Sequence, residues 1–260
     1  MKCSEIIEIL RENWPDQFAL DWDNVGLLVG RRGKEVSRIF TCLDVTEETL
    51  EQAFDWGADL IISHHPLIFS AVKKISDADP LGAKILKLAA KDVACYAMHT
   101  NFDVLGMAEL NGKSLELKDS RALESTGVRD EQEVGIGRVG ELPRTMTVEE
   151  LALWVKEKMN IPRVNVYGDP GKRISRAAIS GGSGKSMVRH ALAAGAQALV
   201  TGDIDYHTGI DAVAGGLCII DAGHYGTEYI FISYMEKKLA QLFPDLEIQG
   251  AKTAFPCRMI

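Results

Sequence analysis

The chain has 260 residues, 46% hydrophobic and 25% charged, which is enough to bury a full core in one large domain or two modest ones. Its formal net charge of −8 argues against a broad nucleic-acid surface, which would need basic residues to neutralise phosphates. No apolar run approaches the roughly 20 residues of a membrane span, and five scattered cysteines (Cys3, Cys42, Cys95, Cys218, Cys257) without a C-x-x-C pair imply reduced thiols and a cytoplasmic address.

Residues 1–10 alternate charge with apolar residues at helical spacing and so read as neither a signal nor a transit peptide, and a helix is expected over 4–13. A strand is expected over 25–30, and the basic Arg31-Arg32-Gly33-Lys34 after it reads as a solvated turn. Then come strand 38–43, helix 47–56, strand 60–63, helix 80–91, strand 93–98 and helix 107–115. Residues 118–133 are short and charged, and read as a linker. The second half gives helix 148–159, strands 163–167 and 176–179, helix 185–194, strand 198–201, helix 206–214, strand 217–220 and helix 228–242.

This order repeats the first half. An offset of 138 places Arg38 on Arg176, Ala53 on Ala191, Gly57 on Gly195 and Ala58 on Ala196 without a gap. We expect an α/β protein of two related lobes, 1–125 and 126–260, with mixed, mostly parallel sheets. The tail, 247–260, is either a strand returning to the first lobe or a subunit contact.

Chemistry concentrates at strand ends. In Leu60-Ile61-Ile62-Ser63-His64-His65-Pro66 the proline stops the ladder, so both imidazoles emerge at the carboxyl edge, where open α/β sheets bind ligands. A lone histidine is more often structural, but two further strand ends supply ligand chemistry: His99-Thr100-Asn101-Phe102-Asp103, and Asp221-Ala222-Gly223-His224-Tyr225-Gly226-Thr227-Glu228. His224 and Glu228 are four apart and share a helical face. Such pairs also decorate solvated helices, yet three strand ends offering imidazole or carboxylate favour a metal centre. His99, Asp44, Asp203 and His207 are candidates to orient a ligand or move a proton, against the plainer alternative that Asp44, Asp203 and His207 cap helices. Ser180-Gly181-Gly182-Ser183-Gly184-Lys185-Ser186 resembles a phosphate loop, but Ile179 stands where its first glycine belongs. Its Gly182 and Ser183 remain candidates for a substrate phosphate, and Asn24 for a substrate-facing loop.

Ser-His-His-Pro at 63–66, Met-His-Thr-Asn-Phe-Asp at 98–103, Thr-Gly-Asp at 201–203 with His207, and Gly-His-Tyr-Gly-Thr-Glu at 223–228 resemble the NGG-interacting-factor-three-like family. So do Asp21-Trp22-Asp23-Asn24-Val25-Gly26 and Leu43-Asp44-Val45-Thr46. Bacterial members of the family are often called GTP cyclohydrolase 1 type 2 homologues. The resemblance implies intertwined lobes with a metal site between them, assembled as a homohexamer. It also implies two divalent transition-metal ions per chain held by His64, His65, Asp103, His224 and Glu228, with Glu228 bridging. Zinc, manganese, iron or cobalt suit that donor set. The implied activity is hydrolysis of a nucleotide or related small molecule by a metal-activated water. A metal-stabilised scaffold that binds other proteins and a P-loop-like nucleotide binder are the alternatives.

Overall fold

Local rules set most element ends in the computed structural model, which describes residues 1–257. Helix α1 (Cys3–Asn13) precedes strands β1 (Gly26–Val29) and β2 (Arg38–Cys42). Thr46 caps α2 (Glu47–Trp56) by accepting from the Thr49 amide, and Gly57 ends it at φ +78°. Strand β3 (Leu60–Ser63) follows, and then α3 (Pro80–Ala90), which opens with Asp79 accepting from the Leu81 and Gly82 amides. Strand β4 (Ala94–Ala97), the short turn α4 (Thr100–Phe102), a π-helical turn at Asp103–Met107 and α5 (Ala108–Ser114) come next. Strands β5 (Lys118–Arg129) and β6 (Gln132–Thr147) lead to α6 (Val148–Lys158), β7 (Asn165–Tyr167), β8 (Arg173–Ser183) and α7 (Met187–Ala193). The remainder is β9 (Ala198–Gly202), α8 (Tyr206–Ala214), β10 (Cys218–Asp221), α9 (His224–Glu228), α10 (Ile230–Leu242) and β11 (Glu247–Gly250).

The chain forms two compact units. One comprises Met1–Phe102 and Tyr229–Ala254; the other comprises Asp103–Glu228 and the described residues after Ala254. The division falls after Phe102 and again after Glu228.

In the first unit the strand order is β1-β4-β3-β2-β11. Strands β11, β2, β3 and β4 run parallel, with β1 antiparallel on the edge beside β4. Every residue of β3 and β4 is buried, as strands covered on both faces require. Of the tail, Glu247–Gly250 pair with Arg38–Thr41 in the first unit, and α10 lies over β2 where Thr41 Oγ1 donates to the Ile232 carbonyl; residues 258–260 lie outside the described residues.

In the second unit the order is β5-β6-β8-β9-β10-β7. Only β8, β9 and β10 are mutually parallel; β5, β6 and β7 pair antiparallel, so the expectation of mostly parallel strands holds for the first sheet alone. The expected linker at 118–133 is a correction: it forms β5 and the start of β6. Lys118, Asp119 and Arg121 occupy exposed strand positions while Ala122 and Leu123 turn inward, so charge density did not signify an unstructured connection.

The repeat extends to hydrogen bonds. Arg38 Nη1 donates to the Trp56 carbonyl at 3.2 Å, and Arg176 Nε to the Ala194 carbonyl at 3.1 Å. Asp59 accepts from the amides of Ser37 and Arg38, while Gln197 accepts from those of Ser175 and Arg176.

Candidate metal centre

In the first unit, β3 delivers its two imidazoles on a rigid backbone. The amides of His64 and His65 donate to the Cys42 and Leu43 carbonyls at 3.1 and 2.9 Å, and Ser63 Oγ donates to the His65 carbonyl at 2.8 Å. The His64 ring is fully buried, tilted against Phe231 at 5.1 Å and edge-on to Phe102 at 6.1 Å. Its Nδ1 lies 2.9 Å from the Met98 carbonyl oxygen. A carbonyl can only accept, so Nδ1 carries the proton of that bond.

The other two histidines follow the same design. His65 Nδ1 is 2.8 Å from Asp44 Oδ1, and His99 Nδ1 is 2.9 Å from Asp23 Oδ1. Asp23 also accepts from the amide and hydroxyl of Thr100. Burial pushes its carboxyl upward, but these bonds from His99 and Thr100 outweigh it and hold the group down at about 2. Each of His64, His65 and His99 presents a ring nitrogen, all within 4.8 Å of one another. Imidazoles fixed through Nδ1 to an oxygen acceptor are oriented as metal ligands usually are.

In the second unit, Gly223 adopts φ +75° and α9 begins immediately, which sets His224 and Glu228 one turn apart with Nε2 and Oε2 at 3.1 Å. His224 Nδ1 lies 2.6 Å from Asp203 Oδ2. Glu228 is buried against Gly181 and Gly182; a Cβ at Gly182, whose φ is +64°, would stand 2.5 Å from Glu228 Oε1. The Gly182 amide donates to Thr227 Oγ1 at 3.0 Å, which fastens this loop to α9. Asp103 opens the π-helical turn, an irregularity frequent at functional sites, and presents a carboxylate oxygen within 4.8 Å of one from Glu228. A cavity of about 280 Å³ opens beside His224, lined among others by Arg163, Asn165, Tyr225 and Phe255. Imidazole and carboxylate without thiolate is a donor set suited to a divalent transition metal.

Asp44 does not cap α2, since Thr46 does, and its carboxylate is available to His65. Asp203 likewise does not cap α8; Asp205 accepts from the Thr208 amide instead. His207 sits exposed in the first turn of α8 with its ring against Tyr206, and is not brought to His224. Asn24 Nδ2 donates to the Ile68 carbonyl at 2.6 Å, so it pins a loop. Ser183 is exposed at the end of β8.

The phosphate-loop alternative meets an obstacle here. The Gly182 and Gly184 amides already donate to Thr227 Oγ1 and the Gly202 carbonyl, and Lys185 pairs with Asp205 at 2.9 Å. The pairing of Asp23 with His99 and the contacts made by the Met98 carbonyl and Thr227 have no counterpart in the sequence reading. Asp23 lay in a quoted motif, but its partner is 76 residues away, and a backbone carbonyl has no sequence signature.

A family model described as Duf34/NIF3 (NGG1p interacting factor 3) matches residues 1–255. A Clostridium perfringens protein called GTP cyclohydrolase 1 type 2 homolog is 35% identical over 257 residues, covering 98% of this chain and 97% of its own. A Streptococcus pneumoniae protein of the same name is 36% identical over 247 residues, covering 93% of this chain and 91% of its own. Among solved structures, a Bacillus cereus protein related to NIF3 superposes with a TM-score of 0.94 at 23% identity, covering 100% of this chain and 99% of its own, a likeness of fold. A Staphylococcus aureus hypothetical protein gives 0.91 at 32% identity with the same coverage.

Proposed function

Because the chain belongs to the Duf34/NIF3 family, we propose that it is a metal-dependent hydrolase of a nucleotide or related small molecule. The proposed ligands are His64, His65, Asp103, His224 and Glu228, for two divalent ions of zinc, manganese, iron or cobalt. The observation that carries this is the fixing of Nδ1 on His64, His65 and His224 by the Met98 carbonyl, Asp44 and Asp203, which prepares Nε2 of each ring as a donor. The name borne by the bacterial relatives, GTP cyclohydrolase 1 type 2 homolog, supports the nucleotide class. Bound ions would supply Lewis-acid chemistry, raising the acidity of water and polarising a substrate oxygen.

The protein's own part is orientation and proton handling. Asp44 and Asp203 hold their histidines in one tautomer. His99, with Nδ1 committed to Asp23, keeps Nε2 to accept or return a proton beside the donor cluster. A homohexamer, as the resemblance implies, belongs to the same proposal.

The test is elemental mass spectrometry on wild type and on Glu228→Ala and His65→Ala, purified without chelator. About two transition-metal ions per chain in the wild type, falling sharply in both variants with the assembly intact by light scattering, is the expected result. A wild type that stays metal-free after incubation with zinc, manganese, iron and cobalt sinks the proposal. Collapse of the assembly on chelation, without hydrolysis of any nucleotide, would favour metals that hold a scaffold.

A further inference from the structure

Beside the three imidazoles of the first unit stand two aromatic side chains whose exposure the core does not explain. Trp22 is 57% exposed and Phe69 54%, whereas Trp14 in the same unit is 4% exposed and packs on Phe102. A single exposed apolar residue is ordinary. This pair is different, because the rings touch each other at 5.7 Å and 38°, and both touch His99: Trp22 at 5.9 Å and 73°, Phe69 at 6.2 Å and 67°.

The pair is also held. Asp23, next to Trp22, accepts from His99 Nδ1 and from the Asn24 amide, while Asn24 Nδ2 ties the Ile68 carbonyl immediately before Phe69. Three consecutive residues therefore supply an open ring, the acceptor that orients His99, and the anchor of the loop carrying the second ring. Keeping large apolar faces in water forgoes hydrophobic stabilisation, and fixing them in place prepares a surface for a flat partner.

Resting on the hydrolase reading above, we propose that Trp22 and Phe69 form a stacking seat for the substrate's planar nitrogen heterocycle, a ring of nucleobase type lying next to His99. Stacking recognises the π-face and tolerates the ring's identity, so the seat defines a substrate class rather than one compound.

The experiment is calorimetric titration with two probes, guanosine 5′-monophosphate and ribose 5-phosphate, which differ by the heterocycle. Wild type is expected to bind the nucleotide more tightly than the sugar phosphate. Trp22→Ala and Phe69→Ala should each weaken nucleotide binding by about five- to 100-fold and leave ribose 5-phosphate unchanged, with Trp22→Phe retaining most of the affinity. Equal affinity for the two probes in wild type, no binding of either, or nucleotide binding that survives both alanine variants overturns the proposal. So does a changed assembly mass for the alanine variants by light scattering, which would reassign the pair to a subunit contact. Metal content measured on the same samples separates the two readings, since Trp22-dependent binding to a protein that takes up no metal upholds the seat and sinks the hydrolase.

Discussion

Gly182→Ala tests the second-unit geometry most directly, because it adds one methyl group at the point where β8 meets α9. Gly182 adopts φ +64°, a conformation that costs an L-residue about 1–2 kcal/mol. The new Cβ would stand 2.5 Å from Glu228 Oε1 and 3.2 Å from His224 Nε2. Neither neighbour gives way easily: Glu228 is 3% exposed, His224 is tied to Asp203, and α9 is fastened to this loop through Thr227. Overpacking of this kind costs about 1–3 kcal/mol, giving about 2–5 kcal/mol in total. Gly195→Ala is the internal control, with φ +71° and nothing within 4 Å of its added Cβ, so it should lose only the backbone term of about 1–2 kcal/mol. At about 2–4 °C per kcal/mol, Gly182→Ala should melt about 4–20 °C below wild type and clearly below Gly195→Ala. Elemental analysis should show metal lost from Gly182→Ala and retained in Gly195→Ala. Equal melting points for the two variants, with wild-type metal content in both, would refute the cradle.

Asp23→Asn removes a carboxylate whose side chain has no solvent exposure and whose folded-state value of about 2 lies below the unfolded one. Its contribution is therefore complete above about pH 4 and lost as the pH falls through about 2, and is worth about 2 kcal/mol after allowance for screening. Urea melts should show a constant stability difference from pH 8 to 5 that narrows between pH 4 and 2; a difference independent of pH would count against the assignment. For the cysteines, burial pushes the Cys95 thiol up to about 12 and Cys42 well above the ordinary value, Cys3 and Cys218 are also buried, and Cys257 is exposed. Native protein should thus give one rapid equivalent with a thiol-reactive disulfide reagent and four more on denaturation. Two or more rapid equivalents would contradict the burial pattern.

Much of the fold was legible because the signals are local. Thr46 and Gly57 bound α2, Pro80 marks the first turn of α3, and the 138-residue offset predicts paired arginines that turn out to brace equivalent carbonyls. The β5–β6 pair was not legible, since Gly135, Gly137, Gly140 and Pro143 in β6 look like interruptions. The glycines are what permits the pairing: a Cβ at Gly135 would lie 1.9 Å from the Glu124 carbonyl oxygen, and one at Gly140 would lie 2.6 Å from that of Lys118. At the candidate site the donors were readable as residue types at strand ends. Their partners were not, because Asp23 reaches His99 and Asp44 reaches His65 only through the fold.

The repeat explains why the two strand ends differ. The register sets His64-His65 at the end of β3 opposite Gly202-Asp203 at the end of β9. In the first unit this position supplies imidazoles, and an aspartate from a neighbouring loop, Asp44, orients one of them. In the second it supplies the aspartate, Asp203, which orients an imidazole brought by α9. Sterics fix the exchange. A Cβ at Gly202 would stand 2.4 Å from the His224 amide nitrogen and 2.8 Å from its Cα, so no histidine fits there while α9 begins at His224. The close approach that brings His224 and Glu228 to the strand end is thus incompatible with a second Ser-His-His, and the two copies contribute different donors because their following segments pack differently.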